Sequence, residues 1–346
     1  MQGPATRSGE RTWRAAFWVS ALLALALVAS LSPYLTSSTE LVRLRNSLLY
    51  EATPAAADWT PATLPADYRV ERAPPTPMFS RIVAENGLVV PGDDWETALR
   101  IGRHLLSGVV AHRGNGGPIQ QGLADTYRAI TGSGRGYCGD YVDVFTALAN
   151  ASGIFARSWA FSFDGFDGHG HIFNEIWDRR TATWRMIDVF NNYYVVDENE
   201  RPLSALEFRK TLLAGDPVRW RAVEPAARPG YKYPEKAVDY YRRGADQWYL
   251  WWGNNVFQYD GNPVVSLFSV PSHSLGELSA IAVGLYPPIR VLQTSANEAQ
   301  RLALGHLRVH LLVVIALLLP ALLSMAISAA RLLVLSRRAR LSQAAS

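Results

Sequence analysis

Two stretches of this 346-residue chain run without charge for the length of a membrane span, and they limit what the rest can be. The first is AAFWVSALLALALVASL, Ala15 to Leu31, with no charged residue until Glu40. The second is LLVVIALLLPALLSMAISAA, Leu311 to Ala330. A helix rises ~1.5 Å per residue, so about 20 apolar residues cross a hydrocarbon core ~30 Å thick. Lipid offers the backbone no hydrogen-bond partners, so such a segment must be helical. Pro320 predicts a kink in the second span, of a kind that neighbouring groups in a membrane tolerate. The predicted spans are residues 15–37 and 306–332.

The flanks set an orientation. Arg7, Arg11 and Arg14 precede the first span, and Arg331, Arg337, Arg338 and Arg340 follow the second. Positive-inside bias puts residues 1–14 and the basic tail 333–346 in the cytoplasm. Arg43, Arg45, Arg301 and Arg308 pull the other way without reversing the balance. A cleaved signal peptide would share the basic start and apolar middle, but no small-x-small site is obvious after Leu31. The expectation is a two-pass protein of the cytoplasmic (inner) membrane with its domain outside the cytoplasm. The net charge of +4 reads as topology, and no interleaved basic and aromatic patch argues for nucleic acid.

Between the spans the composition changes twice. Residues 38–77 are rich in Pro and Ala and read as an extended tether. Residues 78–228 carry the periodic segments. DDWETALRIGRHLLSGVV, from Asp93 to Val110, has an Asp93 or Asp94 cap and helical apolar spacing. The Gly-rich RGNGGP breaks it, and Gln120 to Thr131 reads as a second short helix. Cys138, Tyr141, Val142, Phe145 and Leu148 share one helical face, and Ser152-Gly153 ends that helix. Three strands follow, over Ile154 to Phe163, HIFNEIWD and TWRMIDVF, with DGFDGHG as the loop after the first. Helices then strands predict an α+β core. Residues 229–305 form an aromatic-rich extension, either separate or packed on the core.

Cys138 is the only cysteine. A lone cysteine is commonly a small buried hydrophobe. This one follows Gly134 and Gly136 and opens a helix, where unpaired N–H groups and the positive helix end favour a thiolate. Outside the cytoplasm it would also lack a disulfide partner. A thiolate nucleophile needs an imidazole and an orienting group behind it. His171 opens one strand and Asp188 lies on the next, 33 and then 17 residues along the chain. His169 competes with His171, because residues two apart in a strand face one side.

These residues sit in motifs that resemble the transglutaminase-like superfamily. GYCGDYVDVFTALANASGIFAR is similar to its catalytic helix, a G-x-C start closing on a G-I-x-A-R turn. HIFNEIW resembles the H-A-W-x-E-V strand, and WRMID the W-x-x-x-D strand. The likeness spans roughly Ala98 to Val196. Phe173 replaces the usual Trp, and Val-Phe follows Asp188 where Pro-Thr is common. The resemblance implies a papain-like core, a catalytic helix packed on an antiparallel sheet. It also implies that Cys138 is the nucleophile, His171 the general base and then acid, and Asp188 the group that orients the imidazole. The backbone N–H groups of Tyr137 and Cys138 become oxyanion candidates.

Other groups have plainer readings beside functional ones. Glu175 shares the His171 side of its strand and suits a partner such as Arg157 or Arg185. Asp140 lies in the favourable first turn of the Cys138 helix. The DGFDGHGH loop lacks a recognised metal-ligand spacing, so no metal is expected, and the chemistry needs no cofactor. Trp248, Trp251 and Trp252 could stack on a sugar ring of a substrate, form core, or meet a membrane interface. The whole predicts a membrane-anchored, bacterial-looking thiol enzyme acting on a peptide, protein or envelope-polymer substrate through a Cys138 thioester, with hydrolysis favoured over transfer to an amine. The alternative is a non-catalytic binding or assembly module of envelope or exopolysaccharide machinery.

Overall fold

The computed structural model describes residues 4–107, 117–119, 121–225, 230 and 234–344. Most of the expected Gly-rich break, the start of the helix expected from Gln120, and the junction near residue 229 lie outside those residues. In chain order the first elements are α1 (Pro4–Ser30), α2 (Ser38–Leu49), β1 (Tyr50–Glu51), α3 (Pro77–Glu85), α4 (Asp94–Leu106), α5 (Leu123–Ser133) and α6 (Cys138–Ala151). Then come β2 (Ala156–Ser162), β3 (Gly170–Asp178), β4 (Thr183–Ile187), β5 (Tyr193–Val196), α7 (Ala205–Ala214), β6 (Arg219–Ala222), α8 (Pro234–Arg243) and β7 (Trp248–Trp251). The chain ends with α9 (Val256–Asp260), α10 (Pro263–Ser269), α11 (His273–Ala282), β8 (Ile289–Val291) and α12 (Glu298–Ala344).

Two compact units result, Met1–Leu48 with Ala303–Ser346, and Leu49–Leu302. Among the described residues two helices are long and apolar enough to cross a membrane, over Gly9–Ser30 and Ser295–Arg338. The first helix stops at Ser30, short of the expected residue 37. Pro33 disfavours helical backbone before it, and a 3-10 turn over Ser32–Tyr34 follows. The second runs through Pro320 and carries the basic tail as continuous helix to Ala344. Polar groups tie the pair. Ser20 Oγ donates to Ser324 Oγ at 2.9 Å, and Ser30 Oγ lies 3.0 Å from His310 Nε2. Such bonds serve as glue where no hydrophobic force acts between helices.

The second unit is built on a six-stranded sheet, order β1-β8-β7-β2-β3-β4. β1 joins β8 in parallel and the other neighbours are antiparallel, so the sheet is mixed, where a purely antiparallel one was expected. Alternation along the strands splits the core in two. Ala156, Ile176 and Ile187 face α3, α4, α5 and α6, in a cluster with Val144, Phe145 and Leu148. Trp159, Phe161, Phe173 and Met186 belong to a second, aromatic cluster with Phe208 of α7, Tyr241 of α8, Trp248 and Leu250.

Two expected boundaries change. Residues 38–77 are no free tether. α2 and β1 begin the segment, and Trp59 and Tyr68 are buried in the aromatic cluster. Large aromatic side chains make more favourable contact there than in water. For the aromatic extension the packed-on-the-core reading fits and its boundary dissolves, since β7 and β8 are strands of the main sheet.

Candidate active site

A glycine-built turn delivers Cys138. α5 ends on Gly134 at φ 65° and the chain turns at Gly136, φ 115°, both in the left-handed region that favours glycine. α6 then begins at Cys138. Its cap is Asp140, whose Oδ2 accepts from the Tyr137 N–H at 2.7 Å and, at 3.2 Å, from the Ile119 N–H. Burial lifts the Asp140 carboxyl above its ordinary value against those two donors. The Tyr137 N–H is therefore committed to Asp140 and is not a free oxyanion donor, contrary to expectation. The Cys138 N–H is the first of the helix and has no intrahelical acceptor. The thiol is partly exposed.

The imidazole comes from the start of β3. Gly170 pairs with Ser162 and His171 with Phe161. A Cβ at position 170 would lie 1.9 Å from the Phe161 carbonyl oxygen, so only glycine lets the strand begin there. His171 is buried, and its Nε2 lies 2.8 Å from Asp188 Oδ2. Cys138 is among the groups that act on the ring. Burial works against the charged imidazole, but the Asp188 charge and hydrogen bond, with Cys138 adding to them, raise it from 6.5 to about 10.

Asp188 lies one residue past β4, where its backbone exchanges two hydrogen bonds with Tyr193. Its carboxylate takes further donors that the sequence reading missed. Asn191 gives its backbone N–H to Oδ1 at 3.1 Å and its side-chain Nδ2 to Oδ2 at 2.6 Å. Tyr241, from α8, gives its hydroxyl to Oδ2 at 3.1 Å. Burial, then the Asp188 charge, push the Tyr241 hydroxyl well above its ordinary range, so it stays a neutral donor. The Asp-x-x-Asn spacing is a local signal for the first pair. Nothing local marks Tyr241.

His169 lies in the loop before β3, not in the strand. It is half exposed and sits between Asp164 at 2.9 Å and Asp167 at 3.0 Å. The three offer one ligand atom each within 4.8 Å, a grouping that the loop's spacing did not announce. Glu175 is fully buried and accepts from Arg157 Nε and Trp159 Nε1, both at 2.7 Å, and from the Ala205 N–H at 2.7 Å. The Arg157 guanidinium lies 3.6 Å from the centre of the Trp184 ring. Glu175 is thus a structural ion-pair partner, as its bland reading had it. Trp248 and Trp252 are buried in the aromatic cluster, so of their three readings the core one fits and they offer no face to a sugar ring. Trp251 is half-buried beside Tyr286, ring centres 5.7 Å apart.

The transglutaminase-like superfamily matches residues 93–189, from the cap of α4 to the residue after Asp188. That stretch is a transglutaminase-like superfamily domain, and it contains Cys138, His171 and Asp188. Searches of curated proteins and of solved structures gave no match.

Proposed function

We propose that this chain is a membrane-anchored thiol enzyme that cleaves amide bonds through a Cys138 thioester, with its domain outside the cytoplasm. The observation that carries the reading is the buried His171, its Nε2 2.8 Å from Asp188 Oδ2, in the same matched stretch as the cysteine that opens α6. A protonated ring beside a thiol favours the thiolate, the nucleophilic form. The two apolar helices and their basic outer flanks support the two-pass orientation.

The steps follow from the partners. The Cys138 thiolate attacks the amide carbonyl carbon and a C–S bond forms. Negative charge moves to the oxygen, which the Cys138 N–H is placed to receive. Collapse breaks the C–N bond, and the leaving amine takes the His171 proton. Neutral His171 next takes a proton from water as its oxygen attacks the thioester. The C–S bond breaks, releasing the carboxylic acid and restoring thiolate and imidazolium. Asp188 orients the ring and stabilises the imidazolium throughout. An amine acceptor in place of water would make the same site a transferase; hydrolysis is the proposed outcome. The binding-module reading loses support with Trp248 and Trp252 buried.

The test is the pH dependence of iodoacetamide labelling of Cys138 in the full-length protein and in His171→Ala. Fast labelling well below the ordinary thiol pKa of about 8.5, lost in the variant, is expected. The profile of an ordinary thiol in both proteins would refute the assignment.

A further inference from the structure

Helices α10 and α11 form a hairpin whose outer surface is apolar and uncovered. Leu267, Phe268, Val270, Leu275, Leu278 and Val283 are all exposed, Leu267 at 68% and Val270, in the connection between the helices, at 85%. Single exposed apolar residues are ordinary on a protein surface, but a contiguous set marks an interaction site. The hairpin is rigid enough to present it. Gly276 and Ser269 meet so closely that a Cβ at 276 would lie 2.0 Å from Ser269 Oγ.

The chemistry of the segment narrows the partner. From Gly261 to Ile289 the only formally charged residue is Glu277. Its carboxylate is turned to the Tyr286 hydroxyl, 3.2 Å away, with His273 at 3.8 Å. Protein docking surfaces carry a polar, charged rim that supplies specificity. This surface has almost none. At the hairpin's base, half-buried Trp251, Tyr259 and Tyr286 pack together, ring centres 5.7 and 5.6 Å apart. Amphipathic aromatic rings below an apolar tip are the arrangement found where protein meets the headgroup layer of a bilayer.

We infer that the α10–α11 hairpin dips its apolar tip into the lipid surface of the membrane that anchors the chain. The inference rests on the membrane-anchored reading above. Its consequence reaches the candidate site. His273, which opens α11, lowers the carboxyl of Asp140 in the first turn of α6 against the larger effect of burial, and Asp260, just before the hairpin, accepts from the Leu123 N–H at 2.9 Å where α5 starts. The hairpin is thus fastened beside the N-terminal end of α6, and a tip in lipid holds the Cys138 entrance near the bilayer surface. The substrate class that fits is an amide or peptide displayed at that surface.

The experiment uses the full chain in phosphatidylcholine–phosphatidylglycerol nanodiscs. Single cysteines at Leu267, Val270 and Leu278, on a Cys138→Ala background, carry an environment-sensitive fluorophore. Leu319→Cys in α12 reports on the span itself, and Glu200→Cys on an aqueous surface. The expected result is quenching of the three hairpin sites and of 319 by a shallow doxyl lipid, severalfold stronger than by iodide, with the reverse at 200. Iodide quenching at the hairpin with lipid quenching at 319 would overturn the inference and leave the membrane reading standing. Iodide quenching at 319 would sink the membrane reading and the inference with it. Protection of the hairpin from both quenchers would mean a protein covers it, and would also overturn the lipid assignment.

Discussion

The Tyr241 hydroxyl reaches across 53 residues of sequence to donate to Asp188 Oδ2, the same oxygen that holds His171. α8, which lies outside the matched superfamily stretch, therefore helps to fix the carboxylate inside it. Tyr241→Phe keeps the ring packed against Phe161 and Phe208 and removes only the donor. A hydrogen bond to a buried charge is worth about 1.5–3 kcal/mol, less where other donors remain. A loss of about 1–2 kcal/mol on that scale is expected. Asn191→Ala, which removes the side-chain donor at 2.6 Å, is expected to cost more. Chemical denaturation with an unchanged slope checks both, and a Tyr241→Phe midpoint equal to that of the wild type would count against the role.

The raised His171 value makes a pH prediction with a definite sign. The ring binds its proton more tightly in the folded chain, about 10, than the ordinary 6.5 of an unfolded one. The stabilisation it contributes is complete below 6.5 and is lost as pH rises towards 10. The difference in melting temperature between wild type and His171→Ala is expected to be largest near pH 6 and to shrink between about pH 6.5 and 10. A difference that stays constant over that window would mean His171 is neutral in the fold.

Much of this site was legible in the sequence because its chemistry is local. A glycine turn before a helix, a histidine at a strand start and an aspartate in the next strand segment are each written in a few residues, although β4 stops at Ile187 and not at the expected Phe190. The spacing of Tyr141, Val142 and Phe145 marked part of the surface that α6 buries, which also takes in Val144, Thr146 and Ala147. What the sequence concealed is long-range. β1 and β8 pair over more than 230 residues, and Tyr50–Glu51 is too short to read as a strand. The Pro/Ala-rich stretch looked like linker because its anchors, Trp59 and Tyr68, are two rings in a run of small residues. The crowded WYLWW run showed that some rings must be buried but not which, since that depends on the face of a strand whose partners lie far away in sequence. His169 and His171 looked alike until the start of β3 at Gly170 put one in a loop and the other in the sheet.

Glu175 and Arg157 form an ion pair fully removed from water. Forming such a pair contributes little net stability, but breaking it leaves a buried charge uncompensated. Glu175→Gln is nearly the same size and leaves the guanidinium among Trp59, Trp159 and Trp184 without its hydrogen-bonded counter-charge. A loss of about 3–5 kcal/mol is expected, measured by denaturant midpoint. The exposed pair Arg128–Asp125 is the control, because Asp125→Asn should cost at most about 1 kcal/mol. Equal costs for the two would show that the interior around Arg157 is hydrated.

Gly170 offers the sharpest test of how the fold delivers the imidazole. Position 170 faces the Phe161 carbonyl, and a Cβ there would come within 1.9 Å of the oxygen. No rotamer can relieve a clash between a Cβ and backbone, so Gly170→Ala must part β2 from β3 at their shared end. His171 is the next residue, paired with Phe161 itself. The expected outcome is a destabilised protein in which Cys138 labels with iodoacetamide as an ordinary thiol, even at temperatures where the rest stays folded. Gly139→Ala is the matched control, since a Cβ there meets nothing within 4 Å although it adjoins Cys138. It should leave both stability and labelling close to wild type. Fast low-pH labelling retained in Gly170→Ala would mean that the position of His171 does not depend on the β2–β3 register.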